Sequence, residues 1–553
     1  MSAVLIIWGE RRPPSSGGRN PVFSLRGDRF SVDVFGFPGT VYHGGGADEG
    51  FLTVGLGIQD GRFWDSARWE QAAKSGDFPP NGHYLKIRWG GRKLTIENDP
   101  LGLRDIFWAR WRNGFVISSR LDWVAKISGA NRVNFRVIGS LWLGPSMLNW
   151  DSPVEGVFRL GPGGKVVFDG AEFVHTRPRL YQYPRGERTT PRQTLEKLAE
   201  ITTAQAELVR YLSLSGGIDS RGLLAVLMGS AAEWRAFTFG LGEEPDILIV
   251  RDMAQKLGFP LEFRQVVLED GDRLWGLLEE HAARKWITIP VSVAPALESL
   301  GALAGRNAVN IDGGLGEVLR QRVLRRLAPF PGIKLSPPLV RKLISAPLPP
   351  IFSDEVAGVM SRGYDEDIER ALDMCRGLSA GQVAEIWALW FRLPNFSGLE
   401  QARLDEFVFN FMPYVQPEVL DLGLRMPPKE RRRAAVHILA MERFAPQLKK
   451  FPVARFGRIL PFGVGKNPYL MRVFLPFLRD RQTPVENAFF RRMAQTLRER
   501  IYDILASRDF AEYEPYRHDF IRRAVEKYFA GDDSFKDVLV WWLTFELWRR
   551  SLG

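Results

Sequence analysis

A six-residue segment, Ser215-Gly-Gly-Ile-Asp-Ser220, constrains the fold of this chain more than any other feature. It lies between a predicted strand at 209–214 and a predicted helix at 221–228. Two adjacent glycines at such a junction let several backbone N–H groups turn toward one point, and the helix N-terminus adds partial positive charge there. Serine hydroxyls at both ends and the Asp219 carboxylate complete a loop that suits an anion carrying Mg²⁺. The alternative is a glycine turn with an ordinary serine/aspartate helix cap.

The residues around this loop alternate between helix and strand patterns. A helix is predicted at 194–208 before the loop, and a strand at 235–240, a helix at 246–257 and a strand at 261–267 follow it. This order predicts a parallel α/β sheet. From about residue 340 onward the pattern is mostly helical.

The first 130 residues have a different pattern, with short β segments separated by glycine-rich turns. The apolar stretch at 3–8 is typical of a strand, and the alternation at 83–89 favours an antiparallel sheet. Further strands are predicted at 51–58, 93–97, 106–111, 114–118, 156–160 and 165–168. The segment 177–191 is rich in Pro, Arg and Gly and lacks periodicity, which indicates a linker. We therefore predict two domains, residues 1–180 and 190–553.

Composition excludes several classes of protein. The single cysteine, Cys375, excludes an internal disulfide, and the six histidines show no HExxH spacing, so we expect no zinc enzyme. No apolar run approaches the ~18–20 residues that span a bilayer, and no basic region precedes the apolar stretch at 3–8. We expect a cytoplasmic protein without a membrane partner. The net charge of +11 selects no partner by itself, and we expect no nucleic acid.

The glycine loop resembles a known motif. The Walker pattern GxxxxGK[ST] does not occur in the sequence. The pattern GxSxG occurs at 377–381, but this segment lies in the mostly helical part of the chain and does not follow a predicted strand, as a nucleophile elbow must. Residues 215–220 instead resemble the SGGxDS pyrophosphate loop of ATP pyrophosphatases, which adenylate a carboxyl or carbonyl oxygen. Segments that resemble the asparagine synthetase superfamily run in order through 98–107, 115–119, 236–258, 310–317, 412–415 and 424–428.

This resemblance implies an α/β fold with an α+β N-terminal part. The N-terminal domain would be a β-sandwich of the N-terminal-nucleophile-hydrolase type. It would be followed by a parallel-sheet, adenine-nucleotide α-hydrolase-like ATP-pyrophosphatase domain with a helical C-terminal extension.

Position 2 departs from the superfamily pattern. Glutamine-dependent asparagine synthetases carry a nucleophilic cysteine there, whereas this chain has Ser2. Ser2 exposed by removal of Met1 would be a nucleophile in principle. The first ten residues match no other part of a glutaminase site, so we expect no glutaminase activity and therefore an amine other than ammonia from glutamine.

Two kinds of superfamily member use an amine of the substrate itself, the β-lactam synthetases and the lasso peptide cyclases. A lasso cyclase adenylates an Asp or Glu side chain of a core peptide, and the peptide's N-terminal amine then closes a macrolactam. The long chain, an inserted residue in the loop at Asp312 and a group of arginines within 305–335 favour this class. These arginines are Arg306, Arg320, Arg322, Arg325 and Arg326.

Other classes stay open. The chain could be a β-lactam synthetase, an ammonia-dependent asparagine synthetase, or a non-catalytic relative that binds a peptide or a nucleotide. The arginines would hold a peptide carboxylate or an acidic leader, or would form an ordinary solvated face. In the lasso cyclase hypothesis the partners are a linear core peptide, a leader peptidase and a leader-binding protein.

The resemblance also assigns roles to individual residues. Asp219 and Glu317 are expected to hold Mg²⁺, and Asp312 is expected to contact the amine nucleophile, with Glu317 as a second acid for base catalysis. Either acid of the 312–317 turn could instead be a simple cap. A cation that binds pyrophosphate is expected at Lys450 or Arg455. His281 and His437 are expected in ordinary helices. The residues expected to contact ATP are Leu214, Ser215, Gly216, Gly217, Asp219, Ser220, Phe239 (otherwise a core aromatic) and Gly313.

Overall fold

The computed structural model describes residues 3–9, 20–28, 30–205, 208–330, 332–399, 404, 408–455, 458–463 and 484–553. Ser2, considered above as a nucleophile, lies outside these residues.

The N-terminal part contains two antiparallel sheets packed face to face. In spatial order the first sheet contains β11 (Val157–Arg159), β9 (Phe107–Trp111), β10 (Gly114–Ser118), β1 (Ala3–Trp8), β3 (Phe30–Phe35) and β2 (Phe23–Arg26). The second contains β13 (Glu172–Thr176), β12 (Lys165–Asp169), β8 (Lys93–Asn98), β7 (Asn81–Gly90), β5 (Glu49–Gln59) and β4 (Val41–Gly45), and β6 (Arg62–Phe63) pairs with β5.

Strand β1 explains why the first sheet forms a central layer. Val4, Ile6 and Trp8 point into the core between the two sheets. Leu5 and Ile7 lie on the opposite face and pack in a second core that includes residues of two helices. Because both faces of the strand are covered, its six residues are all apolar and all buried.

Three helices belong to this part of the chain: α1 (Ser66–Ser75), α2 (Leu121–Ser128) and α3 (Phe135–Leu143). α2 and α3 supply Leu121, Val124 and Ile138 to the core on the outer face of the first sheet. The predicted strands of this region are present. The sequence patterns had not indicated β2, β3, β4, β6 or β13.

The second half of the chain is built on a parallel sheet of five strands. Its spatial order is β16 (Leu261–Gln265), β15 (Trp234–Gly240), β14 (Val209–Ser213), β17 (Ala308–Ile311) and β18 (Phe409–Phe411). β15 and β16 extend the sheet on one side of β14, whereas β17 and β18 extend it on the other side. The strand order therefore reverses between β14 and β17. In open α/β sheets such a switch point is where ligands bind, outside the carboxyl ends of the strands.

Helices connect these strands in the predicted order: α4 (Pro191–Thr202), α5 (Ile218–Met228) and α6 (Pro245–Leu257). The helix predicted at 194–208 ends at Thr202 instead. Gln205 accepts a hydrogen bond from the Phe63 N–H at 3.0 Å and donates its own N–H to the Gly61 carbonyl at 2.9 Å. These bridges to the N-terminal sheet take the backbone groups that a longer helix would need.

The remainder is mostly helical, as predicted. Its α-helices are α7 (Gly271–Lys285), α8 (Ala294–Glu298), α9 (Pro337–Ile344), α10 (Asp354–Asp373), α11 (Ala380–Trp387), α12 (Pro417–Arg425), α13 (Pro428–Arg432), α14 (Ala435–Phe444), α15 (Pro484–Thr496), α16 (Arg498–Ala506), α17 (Arg508–Ala511), α18 (His518–Phe529) and α19 (Lys536–Arg550). A π-helical segment (Ala388–Ser397) follows α11, and β19 (Val453–Arg455) pairs with β20 (Arg458–Leu460).

The predicted fold class is therefore confirmed: an antiparallel sandwich is followed by a parallel α/β sheet and a helical C-terminal part. Among the described helices, none is both long enough and apolar enough to cross a bilayer.

Candidate functional site

The glycine loop follows β14 directly and leads into α5, at the carboxyl edge of the parallel sheet. Its two serines close it from within. The Ser215 N–H donates to Ser220 Oγ at 3.2 Å, the two hydroxyl oxygens lie 3.0 Å apart, and the Gly217 N–H donates to Ser215 Oγ at 3.3 Å. The loop is thus held in shape before any ligand arrives, with the first turn of α5 at its end.

A buried arginine fixes the loop to the C-terminal part of the chain. The Arg221 guanidinium donates to the Gly216 carbonyl at 3.1 Å and to the Pro452 carbonyl at 2.6 Å, and it also reaches the carbonyls of Leu448 and Phe451. Burial lowers its pKa to about 10, against the opposing effect of Asp246. The guanidinium stays charged at neutral pH, because even the lowered pKa is well above 7. β19 is thereby held beside the loop, and the Ala454 N–H donates to the Gly216 carbonyl at 3.2 Å.

A cavity of about 590 Å³ opens at this edge of the sheet, within the size range of small-molecule sites. Its polar side is formed by the glycine loop and by the turn after β17. Its apolar side is formed by β15 and by the region after α7. The residues that line it are Ser213, Leu214, Ser215, Gly217, Asp219, Ser220, Phe237, Thr238, Phe239, Glu244, Asp246, Ile247, Leu297, Leu300, Asn310, Asp312, Gly313, Gly314 and Leu404.

The turn after β17 presents Asp312 to this cavity. The Asp312 Oδ1 accepts the Gly314 N–H at 2.7 Å, and Oδ2 accepts from the Asn410 side-chain amide at 3.4 Å. A Cβ at Gly313 would lie 2.9 Å from the Ser220 backbone nitrogen. Only glycine therefore lets this turn pack against the start of α5, which brings Asp312 and the glycine loop to the same cavity.

Asp219 is surrounded by groups from elsewhere in the chain. The Arg320 guanidinium donates to its Oδ2, and the Tyr414 hydroxyl donates to its backbone carbonyl at 2.9 Å. His437 Nε2 lies 2.9 Å from Oδ1, although these two atoms are not aligned for a hydrogen bond. The Tyr414 and His437 rings stack with centroids 4.9 Å apart.

These neighbours fix the charge of Asp219. Burial by itself would raise its pKa, but Arg320 and His437 together hold the pKa well below its usual range. Burial lowers the pKa of His437, so the imidazole is neutral at pH 7 despite the nearby carboxylate. Asp219 is therefore an ionised carboxylate whose counter-charge is a guanidinium.

Two further arginines lie within electrostatic range of the Arg320–Asp219 pair. Burial, followed by the repulsion of Arg455 and Arg320, lowers the pKa of Arg322 to about 10. Burial and the repulsion of Arg320 likewise lower the pKa of Arg455. Arg322 follows Arg320 closely in the chain, and Arg455 lies on β19 next to the glycine loop. Arg320 therefore contacts Asp219, and the other two guanidinium groups lie within electrostatic range of it.

The side chains as placed do not form a Mg²⁺ site. Oδ2 of Asp219 is occupied by Arg320, and a Cβ at Gly316 would lie 2.8 Å from Oδ1. There is therefore no room for a side chain at position 316. Across the part of the chain that the structure describes, no group of three or more His, Cys, Asp or Glu side chains is arranged to hold a metal. The assignment of Asp219 and Glu317 as metal ligands stays a prediction that this geometry does not support.

The structure brings most of the predicted site residues together. Leu214, Ser215, Gly217, Asp219, Ser220, Phe239, Asp312 and Gly313 all line the cavity. Gly216 does not, and its N–H donates to Asp246 Oδ1 at 2.8 Å. Glu317 also lies outside the lining, but it is close enough to Arg455 to oppose the lowering of that residue's pKa. Lys450 is exposed at the surface, whereas Arg455 is half-buried beside the loop. Neither of the two predicted pyrophosphate cations lines the cavity, and Arg455 is on the strand that is hydrogen-bonded to the glycine loop.

Several residues of the site were not indicated by the sequence patterns. His437 lies in α14, in the helix expected for it, but it reaches Asp219. Arg320 belongs to the group of arginines interpreted as a peptide-binding surface. These arginines do not share one surface: Arg320 is buried on Asp219, Arg306 pairs with Glu262 at 2.7 Å, and Arg325 and Arg326 are exposed.

No family model matches the chain, and no curated protein matches it in sequence. Two of the solved structures that are similar over part of it are enzymes of nucleotide metabolism. Glutamine phosphoribosylpyrophosphate amidotransferase from B. subtilis, complexed with ADP and GMP, is 10% identical, with 67% of this chain and 87% of that chain covered and a TM-score of 0.19. A structure of the allosteric regulatory enzyme of purine biosynthesis is 10% identical, with 66% and 85% covered and a TM-score of 0.20. At these TM-scores the likeness supports neither a shared overall fold nor a shared function.

Proposed function

We propose that this protein is an ATP-dependent macrolactam synthetase that closes a ring in a linear core peptide, as lasso peptide cyclases do. The observation that carries the proposal is the meeting of the Ser215–Ser220 loop and Asp312 at one cavity, at the switch point of a parallel sheet. A helix N-terminus behind a glycine loop favours a phosphate group, and a nearby carboxylate suits proton transfer from an amine.

The first half-reaction would form an acyl-adenylate. A side-chain carboxylate of the peptide attacks the α-phosphorus of ATP, the bond to the β-phosphate oxygen breaks, and pyrophosphate leaves. The loop N–H groups and the first turn of α5 would stabilise the negative charge of the phosphates. Leu214 and Phe239 lie on the same cavity and provide apolar contacts for the adenine.

The second half-reaction would form the amide. The N-terminal amine of the peptide attacks the acyl carbon, AMP leaves, and one proton is released. Asp312 is placed to accept that proton, because the Gly314 N–H and the Asn410 amide orient its carboxylate while it faces the cavity. Oriented general bases contribute about 10²–10⁴-fold to such steps.

The other parts of the hypothesis concern partners. A core peptide must be released from its precursor, so a leader peptidase and a leader-binding protein would act with this enzyme. Mg²⁺ would enter as part of the MgATP substrate, whose phosphates supply oxygen ligands for it.

The test is pyrophosphate release from MgATP with a leaderless candidate core peptide, followed by mass spectrometry of the peptide. Wild type should release pyrophosphate and convert the peptide to a product lighter by one water. Asp312→Asn should retain adenylation and lose cyclisation about 10²-fold or more, because the removed group is the base of the second step. Ser146→Ala, at a buried serine that is absent from the cavity lining, is a suitable control.

Other outcomes would move the protein to another class. Pyrophosphate release with aspartate and ammonia, or with a small β-amino acid, would indicate an asparagine synthetase or a β-lactam synthetase. A non-catalytic relative that binds a nucleotide is the second candidate, because Arg320 occupies the Asp219 oxygen that was expected to bind Mg²⁺. ATP binding without pyrophosphate release from any of these carboxylates would support that relative and contradict the proposal.

A further inference from the structure

Three arginines lie within electrostatic range of one another beside Asp219. The repulsion of Arg320 lowers the pKa of both Arg322 and Arg455, and Arg455 also lowers that of Arg322. Positive charges brought together at partly buried positions repel one another, and this repulsion favours the binding of an anion.

Arg320 has unused hydrogen-bonding capacity. Its side chain is only 6% exposed, and Nη2 donates to Asp219. Its Nε and Nη1 are buried without a hydrogen-bond partner. A guanidinium carries five N–H donors, and leaving donors unsatisfied in the interior costs about 1–3 kcal/mol.

The backbone that carries Arg320 and Arg322 is strained. Leu315 has a φ of 56°, Gln321 of 52° and Leu324 of 44°, so three non-glycine residues in this segment occupy the left-handed region. Each such residue costs roughly 1–2 kcal/mol. Strain of this kind persists where the surrounding structure holds a segment in place, and it clusters at ligand-binding sites.

We propose that Arg320, Arg322 and Arg455 form a binding site for a pyrophosphate-class anion, in which the Arg320 guanidinium holds the position at Asp219 that a metal ion would otherwise take. The site lies beside the Ser215–Ser220 loop, since the Ala454 N–H donates to the Gly216 carbonyl next to Arg455. Its ligand is the β- and γ-phosphate portion of a nucleoside triphosphate, or free pyrophosphate. The identity of this ligand rests on the proposed function.

Binding of free pyrophosphate tests the site without any chemistry. The full chain is titrated with inorganic pyrophosphate in buffer that contains EDTA, and binding is followed by calorimetry. Wild type should bind without a divalent metal. Arg322→Ala and Arg455→Ala should each weaken binding by about tenfold or more, the value of one charge-assisted hydrogen bond.

A matched control separates a specific site from general charge. Arg326 lies in the same segment but is exposed, so Arg326→Ala removes the same charge without removing a proposed contact. It should change the affinity by less than about threefold, because exposed charges are screened. Equal weakening by all three variants would overturn the site in favour of diffuse attraction to a basic surface.

Metal binding supplies the second readout. Nucleotide-free protein is titrated with Mn²⁺ and the free ion is measured by electron paramagnetic resonance. No Mn²⁺ site that depends on Asp219 should be found. A site lost in Asp219→Asn, or pyrophosphate binding that requires Mg²⁺, would overturn the proposal.

Failure of this inference is distinguishable from failure of the proposed function. Cyclisation with pyrophosphate binding that requires metal would leave the function intact and remove the arginine site. Metal-free pyrophosphate binding without turnover of any carboxylate would leave the arginine site intact and remove the synthetase. Because Arg320→Gln alone would leave the Asp219 charge buried and unpaired, Arg320 is tested in the double variant Asp219→Asn/Arg320→Gln, which should also lose metal-free binding.

Discussion

Two arginine–aspartate pairs in this molecule have a buried guanidinium but differ in how many of their polar groups are hydrogen-bonded. Where the N-terminal sandwich meets the π-helical segment, Arg159 Nε donates to Asp105 Oδ2 at 2.6 Å, and the guanidinium also reaches Asn395 Oδ1 at 2.5 Å and the Pro394 carbonyl at 3.5 Å. The other Asp105 oxygen accepts the N–H groups of Ile106 and Gly161 at 2.8 and 3.0 Å.

The pair at the candidate site lacks such partners. Arg320 donates to Asp219 but leaves Nε and Nη1 unsatisfied, and Asp219 Oδ1 has only the misaligned His437 nearby. Nearly all buried polar groups in folded proteins are hydrogen-bonded, so exceptions call for a reason. We infer that the Arg159–Asp105 pair stabilises the structure, whereas the unsatisfied N–H groups of Arg320 are available to bind a ligand.

The largest expected effect is on the first pair. Asp105→Ala leaves the fully buried Arg159 without its carboxylate, which should destabilise the protein by about 3–5 kcal/mol. The measurement is the shift in the midpoint of urea unfolding. Asp151→Ala removes the same charge from a side chain that is 51% exposed and should have little effect. A shift for Asp105→Ala no larger than that of the control would contradict the structural role.

The next expected effect is on the second pair and appears as activity. Asp219→Asn/Arg320→Met should lower pyrophosphate release about 100-fold, or about 2.7 kcal/mol. Its unfolding midpoint should change little, because replacing a poorly satisfied buried pair by an uncharged one is often neutral or stabilising.

The corresponding double variant of the first pair, Asp105→Asn/Arg159→Met, is the control for this experiment. It should be clearly destabilised, since it breaks the bonds to Asn395 and to the Pro394 carbonyl. If both double variants lost the same stability, the difference between the two pairs would be unfounded.

The parts of the fold and of the site that the sequence predicted are those whose determining residues are close together in the chain. The parallel sheet and the Ser215–Ser220 loop follow from strand, turn and helix patterns that are close in sequence, and both are present. The strands β2, β3, β4, β6 and β13 were missed. Most of them are only two to five residues long. β3 has six residues and alternates between apolar and polar side chains, with Ser31 and Asp33 between Phe30, Val32 and Val34, and this pattern is typical of a strand. The meeting of Asp312 with the loop was expected only through resemblance, and the geometry now brings them to one cavity.

The surroundings of Asp219 were not predictable from local patterns, because tertiary packing brings them together. His437 comes from α14 and Tyr414 from the turn after β18, and nothing around either residue marks it as a neighbour of Asp219. Arg320 gave no local signal either. It is one of several arginines in its segment, and the pattern does not indicate which of them reaches Asp219.

A comparison with Asp367, which has no arginine in hydrogen-bonding contact, tests how Arg320 affects the pKa of Asp219. Asp367 is buried and accepts from Ser140 and Asn149, but its nearest arginine atom is 3.8 Å away. Burial raises its pKa from 3.8 to about 6. Between pH 4 and 6 the folded state therefore holds a proton that the unfolded state has released, so stability falls as the pH rises through this window, by on the order of 2 kcal/mol.

Asp219 should behave in the opposite way. Its pKa is lowered in the folded state, so its contribution is fully present above its unfolded value of 3.8 and is lost only as the pH falls below that value. Urea unfolding at pH 4, 5 and 6 should show that Asp367→Asn removes part of the pH dependence, whereas Asp219→Asn leaves the slope in this window unchanged. An unaltered slope in Asp367→Asn would contradict the assigned pKa.

The smallest expected effect on stability is at the exposed Arg508–Glu512 ion pair, whose N–O distance equals that of the buried Arg159–Asp105 pair. Arg508 Nε lies 2.6 Å from Glu512 Oε1, the same separation as between Arg159 Nε and Asp105 Oδ2, but these two side chains are 86% and 62% exposed. Solvent and salt screen such a pair, and ordering two long side chains offsets much of the attraction. Glu512→Gln should change stability by less than about 0.5 kcal/mol and by still less at high salt. A change comparable with that of Asp105→Ala would mean that separation alone governs these pairs. A change near zero would mean that burial and complete hydrogen bonding distinguish a structural ion pair from an incidental one.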